Sequence, residues 1–267
     1  VDWQIYRDVA CETALAAGDV LRQGYGQSHE ITLKTGSNNL VTEIDRRSEA
    51  LITERIARAF PDHGFVGEEG GAGGGSGPWR WIIDPLDGTT NYAHHYPCFC
   101  VSIGLAHEDV IVVGVVYQPL LNELFVAVRG QGATLNNRRI HVSETGDLAF
   151  SMLATGFPYN IQAFPEKPLA AFEGFVRQAQ AVRRDGSAAI DLAYVAAGRY
   201  DGFWEAGLQA WDTAAGSLLI TEAGGHVSDY HGQPYVSGGP TIVGSNGRIH
   251  DAVRTVLRTA EGSGPGA

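Results

Sequence analysis

The sequence predicts a mixed α/β fold whose strand-rich first half gives way to alternating strands and helices. Two segments near the start place apolar residues at helical spacing. From Trp79 to Arg129, short apolar runs follow one another with little between them but turns, as in an antiparallel meander. Beyond about Ser143, strand-like and helix-like runs alternate, the pattern of α/β layering.

The first helix is predicted over 2–24, with Asp2 as N-cap and Ile5, Val9, Leu15, Val20 and Leu21 roughly on one face. A second helix begins near Thr42. Ile44, Ser48, Leu51, Ile52, Ile56 and Ala59 share helical spacing, and Pro61 follows the end. Thr42 as N-cap with Asp45 at the third helical position fits a capping box. The run GGAGGGSG over 70–77 reads as a mobile loop too flexible to pack, and as a candidate lid. Strands follow at 79–84, stopping at Pro85, then at 101–106, 110–117 and 123–129, with a hairpin or bulge at 130–132. The second half places strands at 152–155, 200–205, 225–228 and 241–245, and helices at 169–180, 188–198, 213–223 and 248–260. Residues 261–267 read as a frayed tail. A soft boundary near 140–150 divides the chain into an α+β part, 1–145, and an α/β part, 146–267.

Composition narrows the function classes. The chain has 267 residues, with Lys plus Arg 19 and Asp plus Glu 30, so its net charge is 19 − 30 = −11. So acidic a chain lacks the broad basic surface that nucleic acid requires, and a bound phosphate needs metal ions or oriented backbone N–H groups. The longest apolar run, 110–117, is far short of the ~20 residues that span a bilayer. No basic, apolar, small-residue signal precedes Trp3. Three cysteines, Cys11, Cys98 and Cys100, form no C-x-x-C and read as small buried hydrophobes in a reducing, cytoplasmic setting.

The informative segment is WIIDPLDGTTNY, 81–92. An apolar strand runs into Asp84 and Asp87, three apart, and then into Gly88-Thr89-Thr90, where a helical turn is predicted to open. Two readings stand: Asp87 caps that turn and Asp84 is a turn residue, or the two carboxylates converge in a cleft and invite a divalent cation. In the second reading the first N–H groups of the turn point at an anion, beside the metal ligands. Glu68 and Glu69, between glycines after Phe65–Val66, are either solvated loop charge or a further ligand. Asp212, at a helix start in WDTAAG, is either an N-cap or a carboxylate presented to the same metal. His94 and His95 read as an exposed loop or an entrance, and Arg183–Arg184 as a solvated pair or a contact for an acidic substrate arm.

Asp45 in LVTEID, Glu68 in GEE, Asp84 to Tyr92 and Asp212 in WDTAAG occur in an order that resembles the inositol monophosphatase family, the magnesium-dependent, lithium-sensitive phosphatases. The resemblance runs from about Trp3 to Leu257 and takes in Gly132 to Ile140 and TEAGG at 221–225. It implies a layered α-β-α-β-α sandwich, a homodimer, and two or three Mg²⁺ ions. Glu68, Asp84 and the Leu86 carbonyl match ligands of a first ion; Asp84, Asp87 and Asp212 match those of a second. A third, weaker ion would involve Glu68 and waters near Asp45, although Asn39 stands where relatives often carry an acid. Gly88 and Thr89 match N–H donors to phosphate, and Thr89 and Glu68 the groups that orient the attacking water. Gly186 and Ala188 match contacts to the sugar alcohol, Glu205 the acid that holds a ring hydroxyl, and Asp87 and Asp212 also face the substrate.

Chemistry agrees with the resemblance. Hydrolysis of a phosphate monoester needs acceleration of up to ~10²¹-fold, and a general base supplies only ~10²–10⁴-fold. Paired metal ions can activate water, clamp the phosphoryl oxygens and stabilise the leaving alkoxide. The expected reaction is direct in-line attack of water on a sugar-alcohol phosphate, inositol 1-phosphate first. Fructose bisphosphate, nucleotide bisphosphate and histidinol phosphate are the alternative substrates. A regulatory role through a protein partner is the competing reading, and the complete set Glu68, Asp84, Asp87 and Asp212 favours the enzyme. Direct nucleic-acid or membrane binding is not expected.

Overall fold

The protein's structure, a computed structural model, describes residues 3–27, 31–35 and 39–262, with side chains for all of these except 31–35 and 39–42. The expectations for Asp2, the Asn39 and Thr42 side chains and residues 263–267 lie outside what is described.

Helices α1 (Gln4–Gly24) and α2 (Glu43–Ala59) pack on each other and are joined through the antiparallel hairpin of β1 (Ile31–Thr35) and β2 (Asn39–Thr42). Both bury one face: Ala10, Ala14, Ala17 and Leu21 of α1, and Ile44, Ile52 and Ile56 of α2, are fully enclosed. They cover one side of an eight-stranded sheet. It comprises β3 (Gly64–Gly67), β4 (Gly71–Gly74), β5 (Trp79–Asp87), β6 (Cys100–His107), β7 (Val110–Gln118), β8 (Glu123–Val128), β9 (Gly132–Leu135) and β10 (Arg138–Arg139). The order is β10-β9-β8-β7-β6-β5-β3-β4, and every neighbouring pair is antiparallel except β3 and β5. The meander expected from the sequence is therefore present from β5 to β10. A short helix, α3 (Thr89–Ala93), follows β5.

The second half forms a five-stranded sheet of order β12-β11-β13-β15-β14, from β11 (Met152–Thr155), β12 (Ala181–Arg183), β13 (Gly202–Ala206), β14 (His226–Ser228) and β15 (Thr241–Ser245). Helices α5 (Ala188–Ala196) and α6 (Ala210–Glu222) contact strands of both sheets and fill the space between them. Helices α4 (Glu166–Val176) and α7 (His250–Gly262) pair on the outer side of the smaller sheet. The layers are thus α1/α2, large sheet, α5/α6, small sheet and α4/α7, the α-β-α-β-α order. Three apolar clusters occupy the successive interfaces. No helix among the described residues is long and apolar enough to cross a membrane.

Three expectations are corrected. Residues 70–77 do not form a free loop: Gly71–Gly74 is an edge strand paired antiparallel to β3. Glycine there permits close packing, since a Cβ on Gly73 would come within 2.8 Å of the Phe65 ring. The strand expected to stop at Pro85 continues to Asp87, through a bulge between Asp84 and Asp87. Residues 261–262 close α7 and are no tail. Strands β1, β2, β4, β9, β10 and β12 are short, two to five residues each, and offer little periodicity to read.

Candidate metal and phosphate site

The bulge in β5 builds the centre of the site. Opposite it, Asp84 pairs with Ser102 and Asp87 with Cys100, so three steps on β5 face two on β6. In a regular strand, residues three apart point to opposite faces; one extra residue restores them to the same face. Pro85, which has no N–H, lies inside that bulge, where the ladder needs no donor. The other end of the site is the start of α6. Asp212 accepts a hydrogen bond from the Gln209 N–H at 2.7 Å and completes a capping box. Its carboxylate also joins Asp84 and Asp87, all three presenting oxygens within 4.8 Å of one another. The N-cap is Gln209 and not Asp212, which stands at the third helical position, where its capping-box bond and its place in the carboxylate group coexist.

Asp84 and Asp87 are buried. Burial, and then the charges of Glu68, Asp87 and Asp212, hold the Asp84 carboxyl well above the usual carboxylate range. Burial and the Asp87 charge push Asp212 up to about 8. Burial raises Asp87 too, against hydrogen bonds from the Ser187 hydroxyl at 2.6 Å and the Ala189 N–H at 2.7 Å. Glu68 lines the same cleft, outside the group of three.

The turn after Asp87 is fixed in detail. Gly88 sits at φ 95°, a left-handed conformation that suits glycine, and a Cβ there would come within 2.8 Å of the Cys98 carbonyl oxygen. The Thr89 hydroxyl lies 3.0 Å from both Asp45 Oδ1 and the Leu86 carbonyl oxygen. Asp45 is fully buried behind Thr89 and does not belong to the three-carboxylate group. The Leu86 N–H donates to Asp84 at 3.0 Å, and the Ser48 hydroxyl donates to the Pro85 carbonyl at 2.9 Å. Asn91 donates to the carbonyls of Cys98 and Asp185, both at 2.7 Å, and ties this turn to the second half of the chain.

Sequence reasoning missed several of these supports. Glu49 is buried and accepts N–H bonds from Glu69, at 2.9 Å, and from Gly70, holding the backbone beside Glu68. It stands four residues after Asp45 on the buried stripe of α2. A glutamate in an apolar helical stripe was the available signal. Ser187 and Asp191, in the GSAAID run, were also passed over; no pattern in the sequence aims them at Asp87 or at the cleft.

These groups open onto a cleft of about 590 Å³. Gly88, Thr89, Gly186, Ala188 and Glu205 all line it, as do Arg184, His94 and Asp191. Gly186 and Ala188 sit at the start of α5, and Glu205 comes from β13. Burial, and then the Asp212 charge, push the Glu205 carboxyl up to about 8. One end of the cleft is therefore a cluster of carboxylate oxygens beside helix-start N–H groups, and the other a polar wall drawn from α5 and the second sheet. Such a site can hold cations, an anion between them and a hydroxylated group beyond.

Comparison with known proteins agrees with this geometry. The model of the inositol monophosphatase family matches residues 2–261. An inositol-1-monophosphatase of Synechocystis sp. is 46% identical over 257 residues, covering 96% of this chain and 90% of its own. A Nus factor SuhB of Pasteurella multocida is 44% identical, covering 88% of this chain and 89% of its own. The solved inositol monophosphatase of Anabaena (Nostoc) sp. superposes with a TM-score of 0.87 at 45% identity, with 97% of each chain covered. On these grounds the chain belongs to the inositol monophosphatase family.

Proposed function

We propose that this protein is a magnesium-dependent phosphatase that hydrolyses a phosphate monoester of a sugar alcohol, inositol 1-phosphate first, by direct in-line attack of water. The observation that carries the reading is the convergence of Asp84, Asp87 and Asp212, with oxygens within 4.8 Å and all three pKa values raised. Carboxyls so placed repel one another unless protonated or neutralised by a cation. The donor set is all oxygen, which suits Mg²⁺. Glu68, Asp84 and the Leu86 carbonyl would hold one ion and Asp84, Asp87 and Asp212 a second, with a third near Glu68 and Asp45. When bound, such ions lower the pKa of water and neutralise charge on the phosphoryl and leaving oxygens.

The chain's own groups supply orientation. Asp45 faces the Thr89 hydroxyl as an acceptor. With its proton directed there, the Thr89 oxygen is left to accept from the attacking water, and Glu68 takes a second bond from it. The N–H groups of Gly88 and Thr89, at the start of α3, receive the phosphate. Gly186, Ala188 and Glu205 face the alcohol. A covalent thiol route is disfavoured: burial, and then the Asp87 charge, raise the Cys100 thiol well above its usual range, so a thiolate is suppressed. In this reading 1–145 carries most of the ligands, 146–267 carries Asp212 and the alcohol side, and the assembly is a homodimer.

The test is phosphate release from inositol 1-phosphate, fructose 1,6-bisphosphate, adenosine 3′,5′-bisphosphate and histidinol phosphate, with and without Mg²⁺. Magnesium-dependent turnover led by inositol 1-phosphate is expected. Silence across the panel would shift the reading to a regulatory role, the alternative favoured by the relatives named Nus factor SuhB.

A further inference from the structure

We propose that Asp191 is a specificity residue that hydrogen-bonds a hydroxyl on the alcohol half of the substrate, a role that rests on the polyol-phosphatase reading above. Asp191 projects from the first turn of α5, is 1% exposed and lines the catalytic cleft. Its Oδ1 is buried and has no hydrogen-bond partner among the described residues. Three other buried carboxyls around the site are held: Asp84 by the Leu86 N–H, Asp87 by Ser187 and Ala189, and Asp45 by Thr89. Among the described residues, Asp191 Oδ1 is the one fully buried carboxyl oxygen without a partner.

Its place in the helix does not account for it. The positive end of α5 favours a carboxylate in the first turn, but by less than an unmet buried oxygen costs. Nor does Arg184 satisfy it: that guanidinium acts on Asp191 through its charge, with no hydrogen bond to it. A carboxyl can accept from, or when protonated donate to, a hydroxyl that enters the cleft. Glu205 lines the same cleft from β13 and Asp191 lines it from α5, so the alcohol meets acids from two elements. Such a lining fits a neutral polyol with several hydroxyls better than an apolar or a second anionic group.

The test compares wild type, Asp191→Asn and Asp191→Leu in saturating Mg²⁺, on inositol 1-phosphate and on phenyl phosphate, which has no hydroxyl to offer. The readout is the ratio of the two KM values. Asp191→Leu is expected to raise that ratio about ten- to a hundredfold, the loss of one hydrogen bond to an ionisable group. Asp191→Asn, which keeps the volume and hydrogen-bonding capacity, is expected to restore most of it. If the leucine variant does not fold, Asp191→Ser, with its shorter reach, takes its place and is held to a ratio change of at least about threefold. An unmoved ratio, with wild type active on inositol 1-phosphate, overturns the role of Asp191 alone. A wild type that cleaves phenyl phosphate but no polyol phosphate, or neither, overturns the polyol reading and this role together.

Discussion

Adding Mg²⁺ to metal-free protein should raise its melting temperature, and more so at pH 8 than at pH 5. Ionised carboxylate oxygens within 4.8 Å of one another repel by at least about 3 kcal/mol per pair at an effective dielectric of ~20. That repulsion, added to burial, raises the folded-state pKa values of Asp84, Asp87 and Asp212. The sign follows from linkage. A carboxyl raised in the folded state stabilises fully below its unfolded pKa, near 4, and that contribution is lost as pH rises through the folded value, about 8 for Asp212. The metal-free protein therefore loses stability from this cluster between about pH 4 and pH 8. A cation needs the deprotonated groups, so its affinity rises over the same window. At a concentration one hundred times Kd, binding contributes about 2.7 kcal/mol. In a chain of this size that is a rise of roughly 5–10 °C at pH 8. At pH 5 protons compete and the rise should shrink towards zero. Differential scanning calorimetry of chelator-treated protein, with and without Mg²⁺ at matched ionic strength, reads both values. Equal shifts at the two pH values, or a full shift in Asp84→Asn, would refute the reasoning.

Four further outcomes follow from individual residues. Asp84→Asn should lower kcat by at least about 10³-fold while the metal-free protein remains folded and no less stable, because a repelling charge is gone; phosphate release and circular dichroism check both. Glu49→Ala should leave the Glu69 and Gly70 N–H groups without their acceptor, cost about 2–4 kcal/mol and raise the Mg²⁺ concentration needed for half-maximal rate. Glu205→Gln should change the ranking of polyol phosphates more than the rate on phenyl phosphate; an unchanged ranking removes its assigned contact with a hydroxyl. His250, buried between the hydroxyls of Ser228 and Ser245, has its pKa lowered to about 4 by burial and then by His226. Its neutral form is favoured in the fold, so its contribution should disappear as pH falls from 6.5 to about 4, by at most about 3 kcal/mol. Urea midpoints against pH, flattened in His250→Gln, measure it.

What was legible in the sequence had strong local periodicity or punctuation. Long helices, the β5–β8 meander and the Asp-Pro-Leu-Asp-Gly turn all declare themselves within a dozen residues. Short strands and the glycine-rich edge did not. Gly71–Gly74 is a strand because β3 offers it a partner and Phe65 needs the bare glycine surface, a tertiary cause that composition misreads as looseness. The site divides in the same way. Asp84, Asp87 and Asp212 stand in motifs, so their convergence could be anticipated. Glu49 and Ser187 act across twenty and a hundred residues, through contacts that no spacing announces.

Those long-range contacts explain how the two halves of the cleft stay in register. The clustered carboxylates sit on the large sheet and at the start of α6, while Gly186, Ala188 and Glu205 come from the start of α5 and from β13. Asp87 belongs to the first group yet accepts from Ser187 and Ala189 of the second. Asn91 reaches the Asp185 carbonyl, and the Ser102 hydroxyl donates to the Trp211 carbonyl at 3.2 Å. A shift of α5 against the large sheet would stretch the Asp87 and Asn91 bonds, and a shift of α6 the Ser102 bond. One carboxylate thus serves two tasks: it joins the oxygen cluster and fixes the distance from that cluster to Gly186 and Ala188. Removing its charge disturbs both. Asp87→Asn should therefore raise KM for the polyol phosphate as well as lower kcat, whereas Asp84→Asn, which has no bond to α5, should act on kcat alone. Equal KM effects in the two variants would deny Asp87 the positioning role.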